Sequence, residues 1–506
     1  MRGAVNAPFS RQRKRGSDDA GHFRNIAGGD AVSEAARSIV IIGGGFSGAL
    51  FGLKLHRLRP DWRIVVVEPR KKLGRGIAYG ACGPHHLLNV PVSRMEIGLQ
   101  PSFTEWLGAR RNEIAEALVE SGLDLASAYV PRRLFGDYME ERVDEALALK
   151  SRSGLLAMRG EAVRLLADGR GVLLTDGREI TADTVVLAMG NLPPRPPGGP
   201  DRWLYDTGYF IPDPWAVDAF ADIEPDEPVL LIGTGLTMID IALRLAGEGH
   251  RGPMLAVSRR GLRPTRHKGG GAWAEFLHDK IPASPSTLIR ILRAEIAKAE
   301  AQGVPWQRVF DAARPAVASI WNSWDNRCRE QFLRHLRPRW DIHRHRTAPR
   351  IGDAVDALLA KGRLEFAAGR IAGYREAGPQ VQVTIAQRGG GMRHFVAGHV
   401  INCTGPGADF DKIAIPLVAD LRERGLALPD TLGVGLETED CAVIDAQGRP
   451  SSWLFALGPL TRPAWWEITA VPEINLQIER LVAQITRDST AAPLTTADFL
   501  GMGEGI

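Results

Sequence analysis

The stretch IVIIGGGFSG, residues 39–48, decides the fold. Four consecutive β-branched residues (Ile39, Val40, Ile41, Ile42) run straight into Gly43, Gly45 and Gly48, the pattern of a buried parallel strand, a tight turn and a helix opening at Phe46. The glycines have separate duties. Gly43 permits the turn, Gly45 lets the backbone approach a pyrophosphate, and Gly48 lets the helix pack close on its strand. The N–H groups of the first helical turn then face the anion. A second apolar strand, residues 63–67, ends in Glu68, about 20 residues past Gly48, where a carboxylate accepts hydrogen bonds from a ribose diol. A glycine turn in some other α/β sheet leaves Glu68 without a role, so the pattern predicts a dinucleotide site.

The pattern returns downstream. VLLIGTGLTMID, residues 229–240, repeats strand, turn and helix with Gly233 and Gly235 in place and Met238 where the third glycine would stand. That departure is expected to loosen helix–strand packing rather than phosphate contact. The next strand, residues 254–258, runs into Arg259 and Arg260 with no acid. An acid there would repel a 2′-phosphate, whereas arginines pair with it bidentately, so Arg259 favours NADPH over NADH. The alternative is a pair of surface arginines after a strand. Two fingerprints in one chain imply that one dinucleotide is held as FAD while NADPH visits and delivers hydride across the domain interface.

Each module has a closing strand. TADTVVLAMGNLPP, residues 181–194, carries Gly190 and has the form that closes the first half of a flavin-disulfide-reductase-type fold; VINCTGPG, residues 400–407, closes the second. Residues 452–477 add a buried strand ending at Gly458, a loop with Trp465, Trp466 and Glu467, and then an apolar helix whose N-terminus is expected to stabilise the reduced flavin. The fold class is therefore α/β, with two Rossmann-like dinucleotide-binding domains of the flavin-disulfide-reductase type and a helical insertion in the second. Residues 38–225 and 408–490 are assigned to a discontinuous FAD-binding domain, and 226–266 and 346–407 to an NADPH-binding domain. Residues 267–345 form the insertion, a possible substrate cap, and 1–37 a disordered basic leader.

Residues 74–95 mix glycines, prolines and polar residues without a sustained period, which reads as a long ordered loop. Long loops in compact domains are usually functional, so Tyr79, His85, His86, Asn89, Arg94 and Met95 are candidates for contact with the cofactor ring. For His85 and His86, surface polar residues at a turn are the favoured alternative to metal ligands. Helices are expected over 102–122 and 133–150, and an antiparallel excursion over 155–180 with a turn at Asp176-Gly177. In the insertion, Ser284-Pro285 reads as an N-cap and first turn, with Gly303 and Pro305 as the stop. FLRHLRPRWDIHRHR, residues 332–346, is densely basic: a lid or anion holder, or equally a solvated helix face.

Bulk properties set outer limits. With 44% apolar and 24% charged residues, the 506-residue chain has an ordinary soluble composition, and a net charge of +4 argues neither for nor against nucleic acid. No apolar run approaches the ~18 residues of a membrane span. The four cysteines (Cys82, Cys328, Cys403, Cys441) contain no C-x-x-C pair, which excludes a local redox dithiol and leaves a reducing cytoplasm as the expected location. No metal is expected.

The set GGGFSG, GRGIAYG, HLLNVP, GTGLTMID, SRRG, WDIHRHR, INCTGP and GPLTRPAWWEITAVPEI resembles the bacterial FAD/NAD(P)-binding group that includes FAD-dependent urate hydroxylase and L-aspartate N-monooxygenase (nitrosuccinate synthase). The resemblance runs from about residue 39 to 485. It implies a single-component, FAD-dependent, NAD(P)H-consuming monooxygenase that hydroxylates a small polar molecule with O2 through a C4a-hydroperoxyflavin. FAD would be held at Gly43, Gly45, Gly48 and Glu68, and NADPH at Gly233, Gly235 and Arg259. No catalytic residue carries over. The segment YFIPDPW, residues 209–215, lacks the histidine of a Baeyer–Villiger signature, which disfavours a ketone-inserting enzyme. The rivals are an NAD(P)H-dependent flavin oxidoreductase that oxygenates nothing and a non-enzymatic FAD-binding redox sensor.

Overall fold

The structure, a computed structural model, describes residues 37–149, 154–167, 169–198, 201–277 and 281–487. The leader assigned to 1–37 lies outside them apart from Arg37, whose guanidinium donates to the Ile485 carbonyl at 3.0 Å.

Ser38–Ile42 is an inner strand of a seven-stranded sheet, flanked in parallel register by Arg63–Glu68 on one side and Thr184–Leu187 on the other. Pro450–Ala456 extends the parallel part beyond Thr184–Leu187, and Ala442–Ile444 and Thr438–Glu439 add antiparallel strands at that edge. The β-branched run is explained by burial on both faces. Ile39 and Ile41 pack with Leu50, Phe51, Phe135 and Tyr138 of the flanking helices, while Val40 and Ile42 pack with Leu165, Val172 and Ile180 of a small antiparallel sheet. Each such side chain contributes about 1.5–3 kcal/mol on burial.

The second sheet also has seven strands. Leu364–Ala377, Met254–Ser258, Val229–Ile232, His399–Asn402 and Phe210–Ile211 are parallel, and Gln380–Gln387 and Met392–Ala397 continue it as an antiparallel hairpin. Phe210–Ile211 precedes residue 226, so the second sheet recruits an edge strand from the segment assigned by sequence to the first domain.

Three local expectations are corrected. Gly154–Arg159 runs parallel to Arg63–Glu68 as the far edge of the first sheet, and only Ala162–Leu165, Gly171–Leu174 and Glu179–Thr181 are antiparallel. Residues 102–122 are broken into Phe103–Gly108, Arg111–Ile114 and Ala115–Glu120; Ser102 and Glu105 form a capping box at the start and Gly108 ends the first piece. The loop at 74–95 contains a short helix, Gly76–Gly80, and a 3-10 turn, Val92–Arg94.

In the insertion, Ser284 accepts the Thr287 N–H and Pro285 occupies the first turn of Pro285–Ala301, as the sequence predicts. The described residues between 267 and Ser284 carry no helix. Trp306–Ala313, Val317–Ser323, Asn326–Gln331 and Arg337–Arg344 complete the insertion. Its core is seated on the loop after the last strand: Trp321 stacks on Trp466 at 4.2 Å, and its indole N–H donates to the Pro463 carbonyl at 2.8 Å.

Candidate functional site

The first glycine turn is a cradle. Gly43 has φ +103°, and a Cβ there would meet the Ala188 carbonyl oxygen at 2.3 Å. A Cβ at Gly48 would lie 1.9 Å from the Gly43 oxygen, so helix Phe46–Leu58 packs on the turn as closely as the fingerprint requires. The neighbour of Gly45 is another backbone: its Cβ would stand 3.3 Å from the Gly76 Cα. Glu68 is buried, accepts the Gly44 N–H at 2.8 Å and thereby braces the turn as well as bounding the space in front of it. A cavity of about 330 Å³ runs from Gly43 and Gly45 past Glu68 to Gly190 and Val471. Gly190 has φ +67° with nothing near its missing side chain.

A second cavity, of about 680 Å³, lies between the two sheets and the insertion. Tyr79, Asn191, Leu192, Pro193, Thr469 and Val471 line both, so the two spaces adjoin. Tyr79 sits at the junction with its ring against Phe46 and Phe135, and burial pushes its phenol well up. Asn89 lines the larger cavity through a fixed backbone: its carbonyl accepts from His267 Nε2 at 2.8 Å. Burial, reinforced by Arg346, holds the His267 imidazole down at about 4. Met95 reaches the cavity wall but is otherwise a core residue of the first module. Gly458 lies behind the wall: its N–H donates to Gln477 Oε1 at 2.8 Å, and a Cβ would meet Ser47 Oγ at 3.1 Å, joining the start of the first helix to the middle of the last.

His85 and His86 line neither cavity. His86 is buried, which also overturns its reading as a surface residue: Nδ1 accepts the Gly83 N–H at 2.9 Å and Nε2 donates to the Asp240 carbonyl at 3.1 Å. It ties the loop to the second module. His85 is exposed and lies over Gly247.

The second turn repeats the first in part. A Cβ at Gly233 (φ +119°) would meet the Cys403 oxygen at 2.4 Å, and Gly235 opens onto free space. Met238 is fully buried in the core of the second module, so the helix accommodates a long side chain where the first module has Gly48. Arg259 follows Met254–Ser258, exposed and without a carboxylate partner among the described residues.

The sequence did not reveal how the basic segment at 332–346 is used. Arg344 donates to Glu467 at 2.8 Å and to Glu473 at 3.4 Å, and Trp340 donates to Glu467. Burial pushes Glu467 up, but the Arg344 guanidinium and its neighbours outweigh this and hold the carboxyl below its ordinary value. Arg346 is buried against Asp311, and Arg314 pairs with Glu473. A solvated basic face is therefore excluded for Arg344 and Arg346, which line the larger cavity. Their acids lie in distant segments, so no local spacing announces the pairs. Arg132 and Asp240 form a similar cross-module pair. Among the described residues no group of three His, Cys, Asp or Glu could hold a metal ion, and no helix is long and apolar enough to cross a membrane.

These features define a two-module dinucleotide-binding fold of the flavoprotein type. Residues 40–192 match the family model described as FAD-NAD(P)-binding. No curated protein matches the chain. Among solved structures, the ornithine N-hydroxylase of Kutzneria sp. 744, in a complex with FADred, NADP+ and L-orn, is 14% identical with a TM-score of 0.59, covering 89% of this chain and 99% of that one. The reduced ornithine hydroxylase of Pseudomonas aeruginosa is 12% identical at the same TM-score and coverage. L-lysine 6-monooxygenase from Pseudomonas syringae is 16% identical, TM-score 0.59, covering 88% and 98%. At these identities the likeness is one of fold.

Proposed function

We propose that this chain is a single-component, FAD-dependent, NADPH-consuming monooxygenase that hydroxylates a small polar molecule. The observation that carries the reading is the adjoining pair of cavities, one at the first glycine turn and one where both modules and the insertion meet. FAD fits the first: Gly43 and Gly48 leave no room for side chains, and the space in front of the turn extends past Glu68 and Gly190 toward Tyr79 and Asn191. Gly233, Gly235 and Arg259 would hold NADPH. When bound, FAD supplies the hydride-accepting and oxygen-activating chemistry.

The chain's own residues orient the partners and limit water. Asn89 and His267 fix one wall, and the Thr469 to Val471 segment at the N-terminus of helix Val471–Thr486 fixes another. Arg94, Lys268 and Arg308, with Asp213 and Glu275, give the larger cavity charged groups of both signs, which suits a small polar substrate. The first sheet then serves as the FAD-binding domain, the second as the NADPH-binding domain, and 267–345 as the substrate cap. The motif resemblance to the urate and aspartate hydroxylating group supports the same reading, as does the fold likeness to ornithine and lysine hydroxylases. None of the four cysteines lines either cavity, and Cys403 and Cys441 are buried, which favours oxygen chemistry over disulfide chemistry.

The test is a screen of NADPH oxidation against amino acids, purines and aromatic acids, with hydrogen peroxide release followed in parallel. A substrate that accelerates NADPH oxidation, lowers the peroxide yield and incorporates oxygen from labelled O2 is the expected result. Electron transfer to quinones with no oxygen incorporated into any compound would replace this reading with a non-oxygenating oxidoreductase.

A further inference from the structure

The turn after Met254–Ser258 is pinned by side-chain hydrogen bonds and displays arginines. Ser258 Oγ accepts the Gly261 N–H at 3.0 Å, and Gly261 itself has φ +60°. Ser258 stands opposite Ala368 in the parallel register, and the Ala368 carbonyl accepts the N–H of Arg388 at 2.9 Å. The hairpin arginine is thus anchored beside the turn. From the other side, Arg260 donates to the Arg334 carbonyl at 3.3 Å, which brings the insertion against the same spot. Burial and then like-charge repulsion from Arg259, Arg388 and Arg339 hold the Arg260 guanidinium below its ordinary value.

None of Arg259, Arg260, Arg339 and Arg388 has a carboxylate partner among the described residues, whereas Arg314, Arg344 and Arg346 of the same insertion region are all paired with acids. Four unpaired cations converging at the end of the second strand of a dinucleotide module stand where the adenosine ribose is read. We propose that Arg259, Arg260, Arg339 and Arg388 form one clamp for the 2′-phosphate of NADPH, with Arg388 supplied by the antiparallel hairpin and Arg339 by the cap. The inference rests on the NADPH reading above and deepens it: the phosphorylated coenzyme ties the cap to the second sheet. Arg339 lies on Arg337–Arg344, the same helix whose Trp340 and Arg344 bind Glu467 near the larger cavity, so the clamp links coenzyme identity to the cap over the substrate space.

The probes are adenosine 2′,5′-bisphosphate and AMP, titrated calorimetrically into the FAD-loaded protein. Wild type is expected to prefer the bisphosphate. Arg339→Ala and Arg388→Ala should each weaken it by roughly tenfold while leaving AMP unchanged, since a charge-assisted hydrogen bond is worth about one decade or more. Arg339→Lys and Arg388→Lys should recover part of the loss. In hydrogen exchange, the bisphosphate should slow peptides covering Arg337–Arg344 in wild type and not in Arg339→Ala; AMP should slow them in neither. Both alanine positions are exposed, and unchanged melting and flavin content would confirm that the variants are folded. Retained bisphosphate affinity in either alanine variant, or no cap protection in wild type, overturns the clamp while NADPH preference through Arg259 and Arg260 survives. No preference in wild type for the bisphosphate over AMP overturns both.

Discussion

Arg132 Nη1 donates to Asp240 Oδ2 at 3.1 Å across the gap between the two modules, with both side chains mostly buried at 17% and 12% exposure. Arg132 Nη2 also reaches the Leu87 carbonyl, and the Asp240 backbone oxygen accepts from His86, so one residue of the second fingerprint is held twice by the first module. On the proposed function, a hydride donor and acceptor bound on separate sheets would need a fixed mutual orientation. Arg132→Ala leaves Asp240 without its countercharge and should cost about 2 kcal/mol, between the roughly 0–1 of an exposed pair and the 3–5 of a buried one. Flavin reduction by NADPH should slow by about tenfold, because a small misplacement of reacting centres is expensive. Urea unfolding and anaerobic reduction kinetics check the two effects, and a double-mutant cycle with Asp240→Ala should show coupling above about 0.5 kcal/mol.

His267 supplies a pH prediction whose sign follows from its position. Its folded value is about 4, against about 6.5 unfolded, so between those values the unfolded chain binds the extra proton. Stability therefore rises with pH through this window and is lost as pH falls from 6.5 toward 4, by at most about 3 kcal/mol. His267→Gln should flatten that part of the curve. The comparison is the urea midpoint of wild type and variant at pH 7.5 and 4.5; parallel loss in both would place the acid sensitivity elsewhere. The same protonation would oppose the neighbouring Arg346, loosening the wall formed with Asn89.

What could be read in advance divides along a physical line. Ile39–Gly48, Gly233–Gly235 and Ser284-Pro285 are local devices: the glycine turns and the helix cap are specified within a few residues, and each is found where its spacing places it. Met238 shows the limit, because only the packing reveals that a helix without the third glycine buries a long side chain instead. Gly154–Arg159 looks like the first strand of an excursion, and its pairing with Arg63–Glu68 depends on a register that no local period encodes. Arg344 and Arg346 were indistinguishable from a solvated face because Glu467, Glu473 and Asp311 meet them only through tertiary contact. The same holds for His86 and Asp240.

Gly45 and Gly76 face one another, and a side chain on either would press on the other's Cα at 3.3 or 3.2 Å. Gly45→Val should therefore yield colourless protein, because it both fills the phosphate approach and displaces the Gly76 loop. Gly76→Ala, at φ +55°, should keep FAD only weakly. Gly48→Ala is expected to impair folding itself, since its Cβ would overlap the Gly43 oxygen. Glu68→Gln keeps an acceptor for the Gly44 N–H and should hold FAD better than Glu68→Ala. The ratio of flavin absorbance to protein absorbance after gel filtration reads all five variants, and stoichiometric FAD in Gly45→Val would refute the cradle.

Coenzyme choice gives the sharpest kinetic statement about a single side chain. Arg259 stands at the end of Met254–Ser258, where an NADH enzyme places a ribose-reading acid, and no carboxylate among the described residues neutralises it. Charge-assisted hydrogen bonds to a 2′-phosphate are worth roughly 1.5–3 kcal/mol, about ten- to a hundredfold in affinity. Arg259→Ala should raise KM for NADPH by about that factor and leave NADH nearly unchanged. Arg259→Lys should recover only part, because an ammonium lacks the planar fork that engages two phosphate oxygens. The expected losses should shrink as salt rises, since the exposed guanidinium is screened. Steady-state kinetics with both coenzymes at two ionic strengths distinguish the cases: equal losses for NADPH and NADH would assign Arg259 to packing, and equal use of both coenzymes by wild type would remove the 2′-phosphate argument.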